Sequence, residues 1–489
     1  MPSRLLELSQ APHKPNRSIE RLRYVLCIRL FSRPKRGILN TNRKTKVSLK
    51  KVCEPPGPKA KEWVKRDSAV LSPYNRPYYY PMVVEKGHGC IVEDVDGNEY
   101  IDFNSGLGAM NVGHCHPEVV KAIADQSKRL LHYSYTDFYY RYAVELGEKL
   151  QKITPGSFPK KVFLSGSGAE SIEAFAKVAR WHSKRPMFLA FTGAFHGRSM
   201  GALSFTASSI VQKARYFPTM PGVEHVPYAY CYRCPYKQTF PDCDYWCVDF
   251  IDDWVFKKFM PPQETASILI EPIQGEGGYI VPPKDYHRRL KKLMDKHGIL
   301  YTVDEVQSGM GRTGKWCAIE NFGVIPDIVC MSKALGGGIS LGATIGRAEI
   351  YDWAPGSHCT TLGGTPVACE ASLATMRIIE KEKLKENAVK QGEYILKRLN
   401  EWVKKYEIIG DVRGKGLMIG VEIIKDKKSK AKDGDAAHDI IHHAWKKGVV
   451  AIGAGENCFR IAPPLMITRD YVDAGLDALE ESIKEVMKK

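Results

Sequence analysis

The 489-residue sequence predicts an α/β protein built on a mostly parallel sheet with helices on both faces, accompanied by a smaller α+β part. Three observations predict it. Short runs rich in Ile, Val, Leu and Phe alternate with helix-period segments, the pattern of strands buried on both faces between crossover helices. Residues that end successive runs are spaced at about the 30 residues of a strand–helix–strand unit, as in Glu271 to Asp304 and Asp304 to Lys333. Beyond about residue 372 the pattern changes to long charged helices and short strands.

The elements follow in order. Pro55-Pro56-Gly57-Pro58 is a breaker cluster and marks the start of the ordered chain. Cys90–Asp94 and Tyr100–Phe103 read as strands joined by the turn residues Asp96-Gly97-Asn98. Lys161–Leu164, Met187–Phe191, Ser267–Ile270, Ile299–Val303 and Ile328–Met331 are the apolar runs, with helices predicted over Glu170–His182 and Tyr286–His297. The later part predicts helices at Ala371–Glu382 and Leu384–Tyr406 and strands at Gly416–Ile423 and Phe459–Ala462. Between them Lys425–Lys432 is a lysine-rich solvated loop.

The length exceeds the roughly 250–300 residues at which single cores stop growing, so two or three domains are expected. With 44% hydrophobic, 26% charged and 10% aromatic residues, the composition excludes a small disulfide-stapled module and a mainly disordered chain. A net charge of +17 looks like a signal for nucleic acid or a membrane surface, but it is concentrated at one end. Residues 1–65 hold seventeen Lys/Arg against four Asp/Glu, a net +13, and the remaining 424 residues carry only +4. Residues 1–51 therefore read as a basic, disordered extension. A transit peptide, a solvated tail, a basic contact arm and a reading frame that truly starts downstream all remain open for it. No stretch of about 18 uninterrupted apolar residues occurs, so no membrane partner is expected. With the charge excess confined to the extension no nucleic-acid partner is expected either, and scattered single cysteines suit a cytoplasmic location.

Most of the thirteen cysteines stand singly in apolar segments, as in Val329-Cys330-Met331, the habit of free buried thiols. Cys231, Cys234, Cys243 and Cys247 differ, forming a C-x2-C-x8-C-x3-C cluster in a loop rich in Tyr, Pro and Asp. A structural metal, two disulfides or four free thiols would each suit it.

Ligands of open α/β sheets bind beyond the carboxyl ends of the strands, which directs attention to the residues that follow each run. Gly166-Ser167-Gly168-Ala169 opens a helix and presents backbone N–H groups to which a phosphate could bind. Phe195 offers an aromatic face with Arg198 three residues on. Asp304-Glu305 ends a very apolar strand in two carboxylates, expensive there unless a cation or donor meets them. Lys333 ends the next strand among apolar residues and glycines, where desolvation lowers an amine's pKa as imine formation requires. An amine, an acid and a phosphate-type turn on neighbouring strand ends form the constellation expected for pyridoxal 5′-phosphate (PLP).

These residues lie in ordered motifs that resemble the class III, or subgroup II, aminotransferases of PLP fold type I, the family of 4-aminobutyrate and ornithine aminotransferases. The motifs are Gly113-His114-Cys115-His116-Pro117, Gly166–Glu170, Phe195–Arg198, Glu271-Pro272-Ile273-Gln274-Gly275-Glu276, Asp304–Gln307, Ser332–Gly337, Thr360–Gly364 and Arg460–Pro464. The resemblance implies a mostly parallel seven-stranded sheet flanked by helices. A small domain would be built from residues 52–105 and 373–489 around a large PLP-binding domain at 106–372. It further implies that Lys333 is the aldimine lysine and Asp304 the partner of the pyridine nitrogen. Phe195 and Val306 would clamp the ring, with His196 in the same cofactor set and Gln307 near the phenolic oxygen. Ser167, Gly168 and Ala169 would hold the phosphate, completed by Thr361 of a neighbouring subunit. A homodimer with shared active sites, or a higher oligomer built from it, follows from that last match.

For small amino and keto acids, the resemblance assigns Arg460 to the α-carboxylate, Glu276 to a switchable partner of that arginine, and Arg198 to the far carboxylate. Leu107 stands where eukaryotic-type ornithine aminotransferases place a tyrosine, which makes the position similar to 4-aminobutyrate enzymes. The cysteine loop is similar to one in an archaeal-type branch that also holds amino-acid racemases. The expected activity is a ping-pong transfer from a 4-aminobutyrate-like ω-amino acid to 2-oxoglutarate. Its rivals are an ornithine aminotransferase and a broad-specificity racemase.

Overall fold

In the computed structural model, residues 47–72 and 79–488 are described, and residues 1–46 of the basic extension read at 1–51 lie outside them. The end of that stretch is ordered, since Lys50 donates its N–H to Glu99 Oε2 (3.0 Å) and its carbonyl accepts from Glu99 N–H (2.8 Å). The strands are β1 (Val84–His88), β2 (Ile91–Asp94), β3 (Glu99–Asp102), β4 (Lys160–Ser165), β5 (Met187–Thr192), β6 (Val223–Pro227), β7 (Thr265–Ile270), β8 (Leu300–Asp304), β9 (Ile328–Met331), β10 (Gly342–Arg347), β11 (Ile409–Lys415), β12 (Met418–Ile423), β13 (Val449–Val450), β14 (Ile452–Ala454) and β15 (Cys458–Ile461). Seven of them form one sheet in the order β4-β10-β9-β8-β7-β5-β6. All its pairs are parallel except the two that β10 makes with β4 and β9. Two reversals restore direction, so β4 again points the same way as β9, and the carboxyl ends of β4, β5, β7, β8 and β9 open on one edge.

The central strands are apolar because both faces are covered. Every residue of β7 and β9 is buried. Phe188 and Ala190 of β5, with Ile328 and Cys330 of β9, pack in one core with Ile172, Phe175 and Val178 of the helix Gly168–Ser183. Leu189 and Phe191, with Val329 and Met331, turn to the larger core on the other side. Period-2 alternation thus sorts a uniformly apolar strand between two helical layers.

A second sheet, β1-β2-β3-β13, joins the amino-terminal hairpin to the carboxyl-terminal part through the parallel pair β3/β13. A third, β11-β12-β15-β14, is antiparallel and carries Arg460 on β15. The helix Pro366–Lys381 runs through residue 372 without interruption and packs against the helices Pro117–Ser127 and Arg141–Ile153. β6, β10 and the short β13 and β14 lack a distinctive local pattern, and only their sheet partners make them strands.

Arg312 ties these parts together. It is 1% exposed, and it donates to the carbonyls of Leu417 (3.1 Å) and Pro463 (2.5 Å) and to Asn111 Oδ1 (2.6 Å). Burial lowers its pKa to about 10. Its second terminal nitrogen lies 3.4 Å from Ser105 Oγ, at the start of a left-handed turn in which Ser105, Gly106, Leu107 and Gly108 have φ of 54°, 56°, 62° and 75°. Such a turn disfavours side-chain-bearing residues by about 1–2 kcal/mol each, so it needs outside support. Asp102 Oδ1 supplies more, accepting from the N–H groups of Asn104 and Ser105, both at 2.8 Å. Arg312→Lys removes the planar fork and leaves carbonyls without donors. We expect it to lower stability by about 2–4 kcal/mol, measured as a fall in the thermal unfolding midpoint.

Candidate active site

The carboxyl edge of the large sheet encloses a cavity of about 250 Å³ lined by Gly168, Ala169, Phe195, His196, Glu271, Glu276, Asp304, Val306, Gln307 and Lys333, with Gly197 and Ser332. Each lining group arrives from a strand end. Asp304 closes β8 and is 5% exposed. Its Oδ2 lies 2.7 Å from His196 Nδ1, and its Oδ1 accepts from Val306 N–H at 2.9 Å. The carboxylate is therefore held on two sides, with His196 itself almost completely buried.

Lys333 begins the short turn Lys333–Gly336 after β9 and has φ 47°, a left-handed backbone that a side-chain-bearing residue adopts only when its surroundings impose it. Burial pushes its amine pKa down, opposed by the charges of Glu276 and Asp304. The result is an amine kept closer to its neutral, nucleophilic form.

The helix Gly168–Ser183 starts at Ser167, whose hydroxyl accepts from Glu170 N–H at 3.2 Å while Glu170 accepts from Gly166 N–H at 2.7 Å. This reciprocal cap commits the Ser167 side chain and leaves the first-turn N–H groups of Gly168 and Ala169 without intrahelical acceptors. Gly168 must be glycine or yield space: a Cβ there would lie 3.1 Å from Val306 Cγ1.

Arg460, 2% exposed, donates from its two terminal nitrogens to Glu276 at 2.8 and 3.3 Å and from Nε to Gly453 O at 3.0 Å. Burial would raise the Glu276 carboxyl, and Arg460 overcomes this and holds it below its ordinary value. Arg198 is exposed, its guanidinium 5.4 Å from the Phe195 ring centre. Leu107 is also exposed, with its carbonyl 3.5 Å from Gln307 Nε2. Thr361 is exposed and does not line the cavity, and neither do Ser167, Arg198, Arg460 or Leu107.

Glu271 was legible only as part of a motif, yet it stands in the cavity wall. It accepts from the N–H groups of Phe195 (2.9 Å) and Gly275 (2.6 Å), and burial raises its pKa to about 7. The signal was present: it directly follows β7, a strand with no exposed residue, where a carboxyl group needs donors. Glu305, next to Asp304, turns away from the cavity to Ser308 Oγ (2.6 Å) and Ile319 N–H (2.9 Å), and burial raises it to about 7 as well. Cys231, Cys234, Cys243 and Cys247 are free thiols. Burial, reinforced by the neighbouring cysteines, pushes Cys231 up to about 11 and Cys247 to about 12. Among the described residues no group of three or more His, Cys, Asp or Glu is arranged to hold a metal ion.

The cavity fits a phosphorylated pyridine aldehyde. It offers free N–H groups at a helix start, a buried carboxylate, an amine of depressed pKa, and two buried polar atoms without protein partners, Gln307 Oε1 and His196 Nε2. The fold is that of the PLP enzymes of fold type I. The chain belongs to the class-III aminotransferases: the family model "Aminotransferase class-III" matches residues 74–483. It is 42% identical over 430 residues to a leucine/methionine racemase of Thermococcus litoralis, covering 87% of this chain and 96% of that one. To a probable 4-aminobutyrate aminotransferase of Bacillus subtilis it is 37% identical over 402 residues, 82% of this chain and 92% of that one. A PLP-bound amine transaminase from an uncultivated Pseudomonas species superposes with a TM-score of 0.78 at 30% identity, covering 90% of this chain and 99% of that structure. The cofactor is PLP.

Two outcomes follow. Lys333→Ala should abolish borohydride-reducible attachment of PLP to the protein and lower turnover by about 10³-fold or more, read by absorbance and mass of the reduced protein. For Glu305, raised from 4.5 to about 7 in the folded state, the favourable contribution is complete below pH 4.5 and is lost as pH rises through 7. Glu305→Gln lacks that loss, so its stability relative to the parent should improve by about 3 kcal/mol between pH 4.5 and 8 in denaturant titrations.

Proposed function

We propose that the protein is a transaminase that takes the amino group of a 4-aminobutyrate-like ω-amino acid and passes it to 2-oxoglutarate. The observation that carries this reading is the closed Glu276–Arg460 pair. With Arg460 neutralised by an internal carboxylate, the site suits an amine whose reacting carbon bears no carboxylate. An α-keto or α-amino acid has to take the place of Glu276 on the guanidinium fork. Arg198, exposed beside Phe195, suits the distal carboxylate of a 4-aminobutyrate-like donor or of 2-oxoglutarate.

Bound PLP supplies an electron sink that acidifies the carbon bearing the substrate's amine. The chain's own groups do the rest. Asp304, oriented by His196 and by Val306 N–H, would pair with the pyridinium nitrogen. Phe195 and Val306 would hold the ring, Gln307 would serve its phenolic oxygen, and the N–H groups of Gly168 and Ala169 would bind the phosphate beside the Ser167 cap, all of these residues except Ser167 lining the cavity wall. Lys333, kept toward its neutral form by burial, attaches the cofactor and moves the proton at the substrate's amine-bearing carbon. Thr361 of a second copy completes the phosphate site. Exposed apolar residues at Leu107, Leu131, Tyr133, Phe138, Tyr139 and Leu362 support a homodimer in which that copy lies near. Free cysteines support a reducing, cytoplasmic setting.

A second reading, racemisation of α-amino acids, draws support from the 42% identity to the leucine/methionine racemase. Inversion needs a proton donor on the face of the carbon opposite Lys333, and the committed ion pair of Glu276 makes it a poor one. An amino-donor panel with and without 2-oxoglutarate separates the two. We expect transfer from 4-aminobutyrate that requires the keto acid, whereas sustained inversion of one enantiomer without keto acid would replace our reading. Glu276→Gln leaves the Arg460 charge uncompensated and should lower kcat/KM for 4-aminobutyrate by about 10–100-fold while lowering KM for L-glutamate, measured by steady-state kinetics.

A further inference from the structure

The turn that carries Glu276 is held from behind by a chain of buried ionic contacts. The Gly278 carbonyl accepts from Arg413 Nε (3.1 Å) and Nη2 (2.7 Å). Arg413, on β11, donates from Nη1 to Glu422 at 2.6 Å and to Asp411 at 2.8 Å. The Glu422 side chain has no exposed surface, and it also accepts from Tyr230 Oη and Arg233 Nε, both from the cysteine-bearing segment. The Tyr230 ring lies under the Arg413 guanidinium at 4.8 Å, and Arg233 reaches on to the Lys430 carbonyl at 2.7 Å. Burial pushes the Glu422 carboxyl up, and Arg413, Tyr230 and Arg233 more than cancel that. From the other side, Glu271 accepts from Gly275 N–H and Gln274 donates to Thr192 O at 2.9 Å. Backbone at Gly278, with φ 123°, has no room for a side chain: a Cβ would lie 3.0 Å from Arg413 Nη2. Arg413, Glu422, Tyr230 and Arg233 do not line the cavity described above.

We propose that Arg233, Glu422 and Arg413 form a strut that keeps the Gly275–Tyr279 turn in the position from which Glu276 closes on Arg460. The cysteine-bearing loop thereby sets the balance between substrates with and without a carboxylate beside the amine. Arg413 and Glu422 are positioning residues. They touch neither substrate nor cofactor and act through the Gly278 carbonyl. The inference deepens the transaminase reading and rests on it for the meaning of the balance, but the strut itself is tested without turnover. Arg460 keeps its own support at Gly453 O, so weakening the strut loosens Glu276 and leaves the arginine in place. A ligand carboxylate then competes with a less committed partner.

The test uses PLP-loaded parent protein, Arg413→Lys, Glu422→Gln and Arg233→Gln. Each is titrated calorimetrically with glutarate, a dicarboxylate with no amine or keto group to react. Glutarate should bind about five-fold more tightly to Arg413→Lys and Glu422→Gln than to the parent, with kcat/KM for 4-aminobutyrate falling by a similar factor and that for L-glutamate, whose α-carboxylate competes for the same arginine, rising. A general structural lesion would instead weaken glutarate and lower both kinetic constants together. No gain in glutarate binding in variants that retain the parent's cofactor absorbance overturns the proposal. Should the two buried variants fail to fold, Arg233→Gln decides it, because that side chain is partly exposed and the same direction of change is required. If the donor panel finds inversion in place of transfer, the glutarate titration still reports on the strut alone.

Discussion

Carboxylates at the carboxyl edge of a sheet whose central strands are buried constrain this molecule. Asp304 and Glu305 close and follow β8, Glu271 follows β7, and Glu276 lies five residues further on. None can remain there without donors, because the loss of water costs several kcal/mol per unpaired charge. The protein answers differently at each. Asp304 meets His196 and a backbone N–H, Glu276 meets a guanidinium fork, and Glu271 and Glu305 meet neutral donors and stay close to protonation at neutral pH. Four similar groups within one strand-end region are thus held by different partners, a guanidinium for one, an imidazole and a backbone N–H for another, and neutral donors for the other two.

The need for donors also links the antiparallel sheet to the site. Arg460 on β15 and Arg413 on β11 bring cations from the carboxyl-terminal part to the Glu271–Tyr279 segment of the large sheet's edge. Arg312 works from the opposite direction, spending its donors on carbonyls and an amide so that a left-handed turn can stand beside Gln307. Two of the three arginines compensate carboxylates, and the third compensates strained backbone.

Most of the large sheet was legible locally. The apolar runs at β4, β5, β7, β8 and β9 differ from the observed strands by a few residues at most, and the helix Tyr286–His297 has the predicted limits. These elements declare themselves through periodicity and through glycine or polar residues at their ends. Strands β6 and β10 were not legible: both run along neighbours whose identity depends on the crossover path, and their own composition is unremarkable. Lys333 and Asp304 could be singled out because a charge after an apolar run is costly wherever it occurs. Glu271 obeyed the same rule and was passed over because its motif drew attention to Glu276.

By itself, the sequence determined the alternation of strands and helices, the concentration of positive charge outside the catalytic part, and the spacing that sets Asp304 and Lys333 on successive strand ends. Those features are local, decided by side-chain period and by the cost of burying a charge. Tertiary structure alone decided which cations meet which carboxylates: Arg460 with Glu276, 184 residues apart, and Arg233 with Glu422, 189 apart. It also decided that β13 completes the amino-terminal sheet and that Ser105–Gly108 coils left-handed. Such pairings join residues with no common periodicity, and their energies exist only once the fold has removed the water between them.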